Sequence, residues 1–289
     1  MSSNKKLNDV SVVIATLALS SLKGTIDSLN SGSIIPKEIL ICIPEEYSHN
    51  LESYDDSNVK ILYTKVKGQV AQRIIGFHNV KFPYVLQLDD DIKLDFNCLE
   101  NLLKIVRSKS NLAVGPKLFD LFTNQYHSFL TPVRNKLILF DKLFYYIANG
   151  SKGYQPGKIS KSGINFGIPE FPNTFNNVDW LCGGCLMHRK ENLILSDYYP
   201  FLGKAYAEDL FHSNLLRINK IILVRCGEAK CYVDFTSSRG NGFLNIIKNF
   251  LKSIIPMKAF VKSINGSIVH LYLIYIFFYV RLILLKIIK

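Results

Sequence analysis

The sequence has little cysteine and no export signal. Six cysteines are spread over 289 residues, which excludes the disulfide-dense scaffolds of small secreted proteins. No apolar stretch follows the start of the chain at residues 1–10, so we expect no secretory signal peptide. We therefore expect a protein of the reducing cytosol that is long enough to bury a core without covalent cross-links.

Acidic residues are absent from every position after Asp234. The formal net charge of the chain is +12, and the residues after Asp234 supply +8 of it. An excess of this kind suits nucleic acid, anionic lipid or acidic small molecules. Because the excess lies in the tail and no nucleic-acid-binding motif accompanies it, we expect a membrane surface as a partner and no nucleic acid.

The tail, residues 236–289, also has an apolar pattern. Lys248 and Lys252 fall on the opposite side of a helix from a row of apolar residues, which is typical of helices that lie on membranes. The apolar stretch at 268–280 is shorter than the ~20 residues that span a bilayer. We predict peripheral or re-entrant attachment; the alternative is that the tail packs on the catalytic domain or forms an oligomer interface. The apolar row is Phe243, Ile247, Phe250, Leu251, Ile254 and Ile255.

Strand and helix patterns alternate in the first ninety residues, with short connections between them. This alternation predicts an α/β fold with a mostly parallel, Rossmann-like central sheet flanked by helices. In such a sheet the ligand site lies beyond the carboxyl ends of the strands. The predicted strands are 10–15, 38–43, 59–63 and 84–88, and the predicted helices are 22–29 and 70–80.

Three adjacent carboxylates, Asp89, Asp90 and Asp91, directly follow the last of these strands. In an extended backbone the side chains of Asp89 and Asp91 point the same way. They can therefore converge on one hard cation such as Mg²⁺ or Mn²⁺, which prefers oxygen ligands. The alternative is a solvated acidic turn that caps the following helix.

Five segments of the chain together resemble a known enzyme family. In their order and spacing they are similar to the family 2 inverting glycosyltransferases with the GT-A fold, and the resemblance extends over roughly Asp9 to Asp234. Each segment is a weak signal alone, whereas all five in sequence are specific. The segments are Val10-Ser-Val-Val-Ile-Ala-Thr16, Lys67-Gly-Gln-Val-Ala-Gln-Arg73, Asp89-Asp-Asp91, Trp180-Leu-Cys-Gly183-Gly184 and Glu208-Asp209.

The resemblance implies a division of the chain and a reaction. Residues 1–235 would form the GT-A domain, with a nucleotide-sugar half at about 1–115 and an acceptor half at about 116–235, followed by the membrane-associating tail. The enzyme would transfer one sugar, with inversion, from a nucleotide diphosphate sugar to an acceptor hydroxyl. We expect a lipid-linked saccharide acceptor in surface polysaccharide synthesis, at the inner face of the cell membrane. Processive synthases would add a Gln-x-x-Arg-Trp motif, but the only tryptophan is Trp180.

On the donor side, the resemblance places Asp89 at the nucleotide ribose and Asp91 at the metal. The cation would bridge the donor phosphates and stabilise the charge on the departing diphosphate. The planar guanidinium of Arg73 suits a phosphate; the alternative is an exposed helix charge. Thr16 would contact the nucleotide through its backbone. The implied nucleotide-sugar residues are Thr16, Gln69, Arg73, Asp89 and Asp90, and the implied metal ligands are Asp89, Asp91 and Asp234.

On the acceptor side, the resemblance makes Asp209 the general base that removes the proton of the attacking hydroxyl. Glu208 would support the acceptor or complement the helix dipole. Gly183 and Gly184 would let the backbone approach a ligand, because neither has a Cβ atom. Trp180 would offer its ring to a sugar; the alternative is an ordinary core tryptophan.

The chain departs from the family pattern at two positions. Many members have an aspartate after the second strand that contacts the nucleotide base, where this chain has Ile41-Cys-Ile-Pro-Glu45-Glu46, so the nucleotide stays open. Many also have a histidine metal ligand after the last sheet strand. The segment 229–234 has none, and Asp234 would replace it as an oxygen ligand.

Other interpretations of the sequence remain open. A sugar-nucleotide pyrophosphorylase would carry a glycine-rich phosphate loop after the first strand, where residues 16–21 have no glycine. A basic membrane-associated binding module without catalysis leaves the carboxylates unexplained. Four cysteines would form a zinc site or, as we expect, act as small buried apolar residues. These cysteines are Cys182, Cys185, Cys226 and Cys231.

Overall fold

The computed structural model of the protein describes residues 6–51, 53–132, 138–171, 173–201, 205–235 and 243–287. Its strands are β1 (Lys6–Ala15), β2 (Ile34–Pro44), β3 (Val59–Thr64), β4 (Tyr84–Asp89), β5 (Ile92–Leu94), β6 (Leu112–Asp120), β7 (Phe175–Val178), β8 (Cys185–Arg189) and β9 (Ile222–Val233). Its helices are α1 (Leu22–Ser31), α2 (Gln69–Asn79), α3 (Cys98–Ser108), α4 (Ile138–Asn149), α5 (Glu208–Ile218), α6 (Phe243–Ser263) and α7 (Ile268–Ile287).

The strands of the described residues form one sheet with the order β3-β2-β1-β4-β8-β6-β9-β5, and β7 also pairs with β9. The first four strands of this order are mutually parallel, and β6 is parallel to β9. Strand β8 runs antiparallel between β4 and β6. The predicted α/β fold with helices flanking a largely parallel sheet is confirmed, and the strand direction changes next to β4.

The β-branched and apolar runs lie in the core. Val12 and Ile14 of β1 are fully buried, as expected for a strand covered on both faces. Helix α1 buries Leu22, Ile26 and Leu29, which recur at the spacing of one helix face. The four strands and two helices predicted in the first ninety residues are confirmed, with boundaries that differ by a few residues.

The carboxyl ends of β1 and β4 meet at one edge of the sheet. The two strands are parallel with Ala15 opposite Asp89, so the residues after each strand, Thr16 and Asp90, are brought together. Helix α2 begins at the same edge after Gly68, whose φ of +146° is a backbone conformation that L side chains rarely adopt. Glycine at this position lets the chain turn sharply into the helix.

The chain divides into two compact units, residues 1–127 with 171–235 and residues 128–170 with 236–289. The first unit contains the whole sheet. The functional boundary predicted after residue 235 stays a prediction. In the structure, the segment 128–170 groups with the C-terminal helices rather than with the sheet.

The second unit contains helices α4, α6 and α7. Phe144, Tyr145 and Ala148 of α4 form a core cluster with Phe166 and with Ile274 of α7. The predicted helical C-terminal region is confirmed. Among the described residues, no helix has both the length and the apolar character that a membrane crossing requires.

Helix α6 differs from its predicted pattern. Leu251 and Ile255 are 56% and 71% exposed, and they share the exposed side of the helix with Lys248 and Lys252. The prediction of separate apolar and basic faces is therefore wrong for this part of α6, because the helix packs through its opposite side, where Phe260 is buried. Three side chains of the predicted apolar row lie outside the described residues: Phe243, Ile247 and Phe250.

Candidate active site

Thr16 and Asp90 join the ends of β1 and β4. The Thr16 hydroxyl donates to Oδ2 of Asp90 and accepts a hydrogen bond from the backbone N–H of Ala18 at 2.8 Å. Burial raises the pKa of Asp90 to about 6, against the Thr16 hydrogen bond and with help from the charges of Asp89 and Asp91. The carboxyl of Asp90 thus holds the loop after β1, and its predicted donor contact stays a prediction.

The backbone groups of Thr16 form hydrogen bonds within the protein, and their predicted contact with a nucleotide stays a prediction. The Thr16 N–H donates to the Cys42 carbonyl at 3.1 Å, and its carbonyl accepts from Nε2 of Gln72 at 2.9 Å. Both backbone groups are therefore used inside the protein, where they tie the end of β1 to β2 and α2. Sequence patterns missed Gln72, since a buried amide in a helix gives no local signal.

Arg73 is the centre of a buried ion network. One guanidinium nitrogen donates to Oε1 of Glu208, and the other donates to Oδ1 of Asp89 at 2.5 Å. The side chain is only 3% exposed. Burial opposes the charge on Arg73, but the carboxylates of Glu208 and Asp89 outweigh it and raise the arginine pKa. Neither the predicted phosphate contact nor the alternative of an exposed helix charge describes Arg73, because both terminal nitrogens of its guanidinium group donate to carboxylates of the protein.

Glu208 and Gln69 complete the network. Oε1 of Glu208 also accepts from the Tyr198 hydroxyl at 3.3 Å, and burial raises the pKa of Glu208 against the opposing effect of Arg73. Glu208 is buried, so the geometry gives it a structural role, and its predicted acceptor contact is not supported. Nε2 of Gln69 donates to Oδ1 of Asp89 at 2.8 Å, which fixes the strand-end carboxylate from α2.

Gly183 and Gly184 bring the two ends of this network together. A Cβ atom on Gly183 would lie 2.8 Å from Oε2 of Glu208 and 3.4 Å from Cβ of Asp209, and one on Gly184 would lie 2.9 Å from Oδ2 of Asp89. Consecutive Cα atoms are about 3.8 Å apart. Asp209 and Asp89 therefore flank a single dipeptide. The glycines make room for carboxylates of the protein itself, while the predicted approach of a ligand stays a prediction.

Asp209 lies in the first turn of α5, and Ala207, the residue directly before this helix, has a left-handed conformation with φ of 63°. A non-glycine residue in this conformation is strained, and such strain is common at functional sites. Burial, followed by the charge of Glu208, raises the pKa of Asp209 from its ordinary value to about 7. A carboxylate with this pKa is well matched to proton transfer near neutral pH.

The carboxylates fit a hard cation only in part. Among the described residues, no group of three His, Cys, Asp or Glu side chains forms a metal site. Partial burial of the carboxyl, and then the negative charge of Asp89, raise the pKa of Asp91, and the charge of Asp234 adds to this effect. Oδ1 of Asp89 is occupied by Arg73 and Gln69. The metal ligands predicted at Asp91 and Asp234 therefore stay a prediction, and Mg²⁺ commonly takes one or two protein carboxylates and completes its shell with phosphate and water.

Trp180 is a core residue. It is 1% exposed, and the guanidinium of Arg225 lies 5.4 Å from its ring centroid. The predicted contact with an acceptor is therefore wrong, since the ring offers no free face. The cysteines are free thiols, and burial raises the pKa of Cys182 to about 12, which disfavours the thiolate that zinc requires.

A cavity of about 520 Å³ opens at the carboxyl ends of β1 and β4, against the start of α2. Its lining contains three of the predicted donor residues, Thr16, Gln69 and Asp90. The apolar wall of this cavity could not be predicted from the sequence, because isolated leucines and phenylalanines in loops give no functional signal. The remaining lining residues are Ala15, Leu17, Leu19, Lys67, Gly68, Gln72 and Phe201.

A second cavity of about 440 Å³ adjoins the first and shares Lys67, Gly68, Gln69 and Phe201 with it. Its other wall is the segment Asp197–Pro200. The two neighbouring cavities both border the N-terminus of α2 and provide space for two ligands or for two parts of one ligand. Drug-sized ligands occupy pockets of about 300–1,000 Å³.

The sheet order and the site at its edge define a protein with the GT-A fold. The chain is similar to the crystal structure of GalNAc-T7 solved with UDP, GalNAc and Mn²⁺, with a TM-score of 0.57 and 18% identity, over 78% of this chain and 43% of that one. It is also similar to S. aureus TarS 1–349, with a TM-score of 0.46 and 14% identity, over 78% of this chain and 60% of that one. The chain thus spans less than two thirds of either structure.

At these identities the similarity establishes the fold alone. No protein-family profile matches the chain, and no curated protein sequence matches it. The predicted GT-A fold is confirmed by the GalNAc-T7 structure. The assignment of chemistry therefore depends on the residues of the site.

Proposed function

We propose that this protein is a family 2 type glycosyltransferase that moves one sugar from a nucleotide diphosphate sugar to an acceptor hydroxyl with inversion. The observation that carries the proposal is the pair of carboxylate sites on either side of Gly183-Gly184. One site, at Asp89, is the strand end beside a cavity. The other, Asp209, is a carboxylate whose raised pKa suits a base. The GT-A fold of the GalNAc-T7 structure, solved with UDP and GalNAc, supports the donor class.

Asp209 performs the proton transfer in this mechanism. Its carboxylate accepts the proton of the acceptor hydroxyl as the oxygen attacks the anomeric carbon, and the bond to the diphosphate breaks on the opposite face. Attack from that face inverts the anomeric centre. A base of this kind typically contributes ~10²–10⁴-fold to the rate.

Arg73 positions the two halves of the site. Its two ends hold Asp89 and Glu208, and Glu208 immediately precedes Asp209. The guanidinium therefore connects the strand end at the donor cavity to the start of the helix that carries the base. Holding reacting groups in place supplies a large part of enzymatic rate enhancement.

The donor is held by α2 and the acidic strand end. Gln69 and Lys67 line both cavities, and the ammonium of Lys67 suits a phosphate. Asp91, with Asp234 and the neighbouring Asp89, would hold Mg²⁺ or Mn²⁺; the GalNAc-T7 structure contains Mn²⁺. When bound, the cation stabilises the negative charge of the departing diphosphate.

The acceptor in this proposal is a lipid-linked saccharide for surface polysaccharide synthesis. The supporting observation is the basic, partly apolar tail, since all residues after Asp234 lack negative charge. We place the enzyme in the cytoplasm, peripherally attached to the inner face of the cell membrane through residues 236–289. Residues 1–235 carry the chemistry, with donor and acceptor halves on either side of about residue 115.

A nucleotide-sugar screen tests the proposal. Binding of UDP, GDP and dTDP sugars to the full chain is measured by calorimetry with Mn²⁺, with Mg²⁺ and with excess chelator. The rate at which the nucleoside diphosphate is released from the donor is then measured with and without a membrane lipid extract as the source of acceptor. We expect cation-dependent binding of one donor and lipid-stimulated release. Formation of pyrophosphate and a nucleotide diphosphate sugar from a nucleoside triphosphate and a sugar 1-phosphate would indicate a pyrophosphorylase instead. An absence of nucleotide binding would indicate a binding module.

A further inference from the structure

Helix α7 exposes a continuous apolar stripe. Val269, Leu273, Ile276 and Val280 recur at intervals of three and four residues, which places them on one face of the helix. Two tyrosines extend the same face, so that its arc contains no charged side chain. The six members and their exposed fractions are Val269 67%, Tyr272 40%, Leu273 45%, Ile276 59%, Tyr279 45% and Val280 47%.

The opposite face of α7 is already used for packing. Leu271, Ile274 and Tyr275 are buried, and Ile274 belongs to the core cluster with α4. The stripe is therefore not the packing face of the second unit. Large contiguous apolar patches on a protein surface mark sites of interaction with proteins or membranes.

Helix α6, which precedes α7, exposes lysines together with apolar residues. At 100° per residue, four lysines, Leu251 and Ile255 fall within one arc of about 120°, and all six are exposed. No acidic residue occurs in either helix. The lysines are Lys248, Lys252, Lys258 and Lys262.

We propose that the stripe of α7 inserts into the headgroup region of an anionic lipid monolayer while the lysines of α6 bind its phosphates. Charge complementarity favours this partner, since α6 carries four exposed ammonium groups, neither α6 nor α7 contains a carboxylate, and such helices suit a negatively charged surface. A second copy of the chain would bring the same positive charge and would be repelled. The two tyrosines in the stripe also suit the interface, because their rings are apolar and their hydroxyls stay hydrated.

Insertion in the plane of the membrane agrees with the helices themselves. No helix among the described residues is long and apolar enough to span, whereas a helix with an apolar face beside basic residues binds at the surface. The inference deepens the membrane part of the proposed function, because it names α7 rather than the predicted apolar row of α6 as the inserted surface. The biological purpose of membrane binding rests on the proposed function, whereas the binding itself depends only on the residues of α6 and α7.

Vesicle flotation of the full-length protein tests the proposal. Leu273→Glu with Ile276→Glu introduces two charges into the stripe. Ile61→Glu with Ile218→Glu is the matched control, because these residues of the first unit are 40% and 64% exposed. Vesicles of phosphatidylcholine alone are compared with vesicles that also contain phosphatidylglycerol. We expect wild type and control to float with the anionic vesicles and the stripe variant to stay in solution.

The charge contribution is measured separately by replacing the four α6 lysines with glutamine. Each lysine near an anionic surface is worth about fivefold in binding, so we expect at least a hundredfold weaker binding. The control replaces four exposed lysines of the first unit and should bind within about fivefold of wild type. Those control positions are Lys65, Lys81, Lys104 and Lys109.

Several results would overturn the proposal. The first is that wild-type protein does not float with anionic vesicles, and the second is that the stripe variant floats as well as its control. The third is that light scattering shows a dimer for wild type and a monomer for the stripe variant, while neither protein binds vesicles. Thermal melting by circular dichroism must show that the stripe variant folds, and the Val280→Glu single variant replaces it if it does not. Donor binding in solution is independent of these outcomes, so failure of the membrane surface and failure of the glycosyltransferase proposal are distinguishable.

Discussion

The two units of this chain accommodate charge in opposite ways. In the first unit, the guanidinium of Arg73 is buried between Asp89 and Glu208. In the second, the lysines of α6 are exposed among exposed apolar side chains, with no acidic residue in the helix. Burying an ion pair costs several kcal/mol before its attraction is counted, so the first arrangement gives position rather than stability. The second arrangement leaves apolar surface in water until a partner covers it.

The largest effect is expected from removing the buried guanidinium. Arg73→Met keeps a similar length but leaves two carboxylates without their partner. Breaking one side of a buried ion pair costs ~3–5 kcal/mol, and urea unfolding should show a loss of this size in the free energy of unfolding. The control is Arg217→Met. Arg217 forms a 3.3 Å ion pair with Asp179, and its side chain is 40% exposed, so this ion pair should contribute ~1 kcal/mol or less. Similar losses in the two variants would remove the contrast between buried and exposed charge.

A smaller loss of stability is expected at the dipeptide between the carboxylates. Gly184→Ala places a methyl group 2.8 Å from Cδ1 of Ile92 and 2.9 Å from Oδ2 of Asp89. Overpacking of this kind costs ~1–3 kcal/mol, and the displaced Asp89 should also weaken donor binding. In Gly24→Ala the new methyl meets only the flexible end of Lys93, and a helical position gains ~0.5–1 kcal/mol from alanine. The stability of both variants is measured by thermal melting. If Gly184→Ala is as stable as wild type, Gly184 is not required to make room for Asp89 and Ile92.

The pH dependence of turnover sharpens the role of Asp209. Its pKa is raised to about 7 by burial and by Glu208, so the carboxyl is protonated below that pH and cannot accept a proton. Single-turnover rates with saturating donor should therefore rise about tenfold per pH unit up to about 7 and then level off. The same shift makes the folded state bind more protons than the unfolded chain, so this group's contribution to stability decreases as pH rises toward 7. A rate that is flat between pH 5 and 8 would contradict the assignment.

The fold was largely predictable because its first half consists of local patterns. Continuous β-branched runs such as residues 10–15 fit strands that are buried on both faces, and the three aspartates after β4 indicate the edge of the sheet where ligands bind. Asp209 is predicted as the base from its position after Glu208 in a sequence that resembles a known family, and this role stays a prediction. Its pKa, however, depends on burial that no local pattern contains.

Long-range pairing could not be predicted. Arg73 and Glu208 are 135 residues apart, and a single arginine on a helix looks the same in sequence whether it faces a phosphate, water or a buried carboxylate. Trp180 was assigned to a ligand for the same reason, since the burial of a ring depends on its neighbours in space. The grouping of residues 128–170 with the C-terminal helices was likewise invisible, because an apolar periodicity defines a packing face but not its partner.

The most direct test of the proposed chemistry is a paired measurement on Asp209→Asn. This variant keeps the size and much of the hydrogen bonding of the aspartate but removes its basicity. Donor affinity by calorimetry and single-turnover transfer are measured for it and for Glu208→Gln, which keeps a base at 209. We predict wild-type donor affinity and at least a hundredfold slower transfer in Asp209→Asn, a loss of ~2.7 kcal/mol in transition-state stabilisation, with a milder defect in Glu208→Gln. Transfer by Asp209→Asn at close to the wild-type rate would contradict the account.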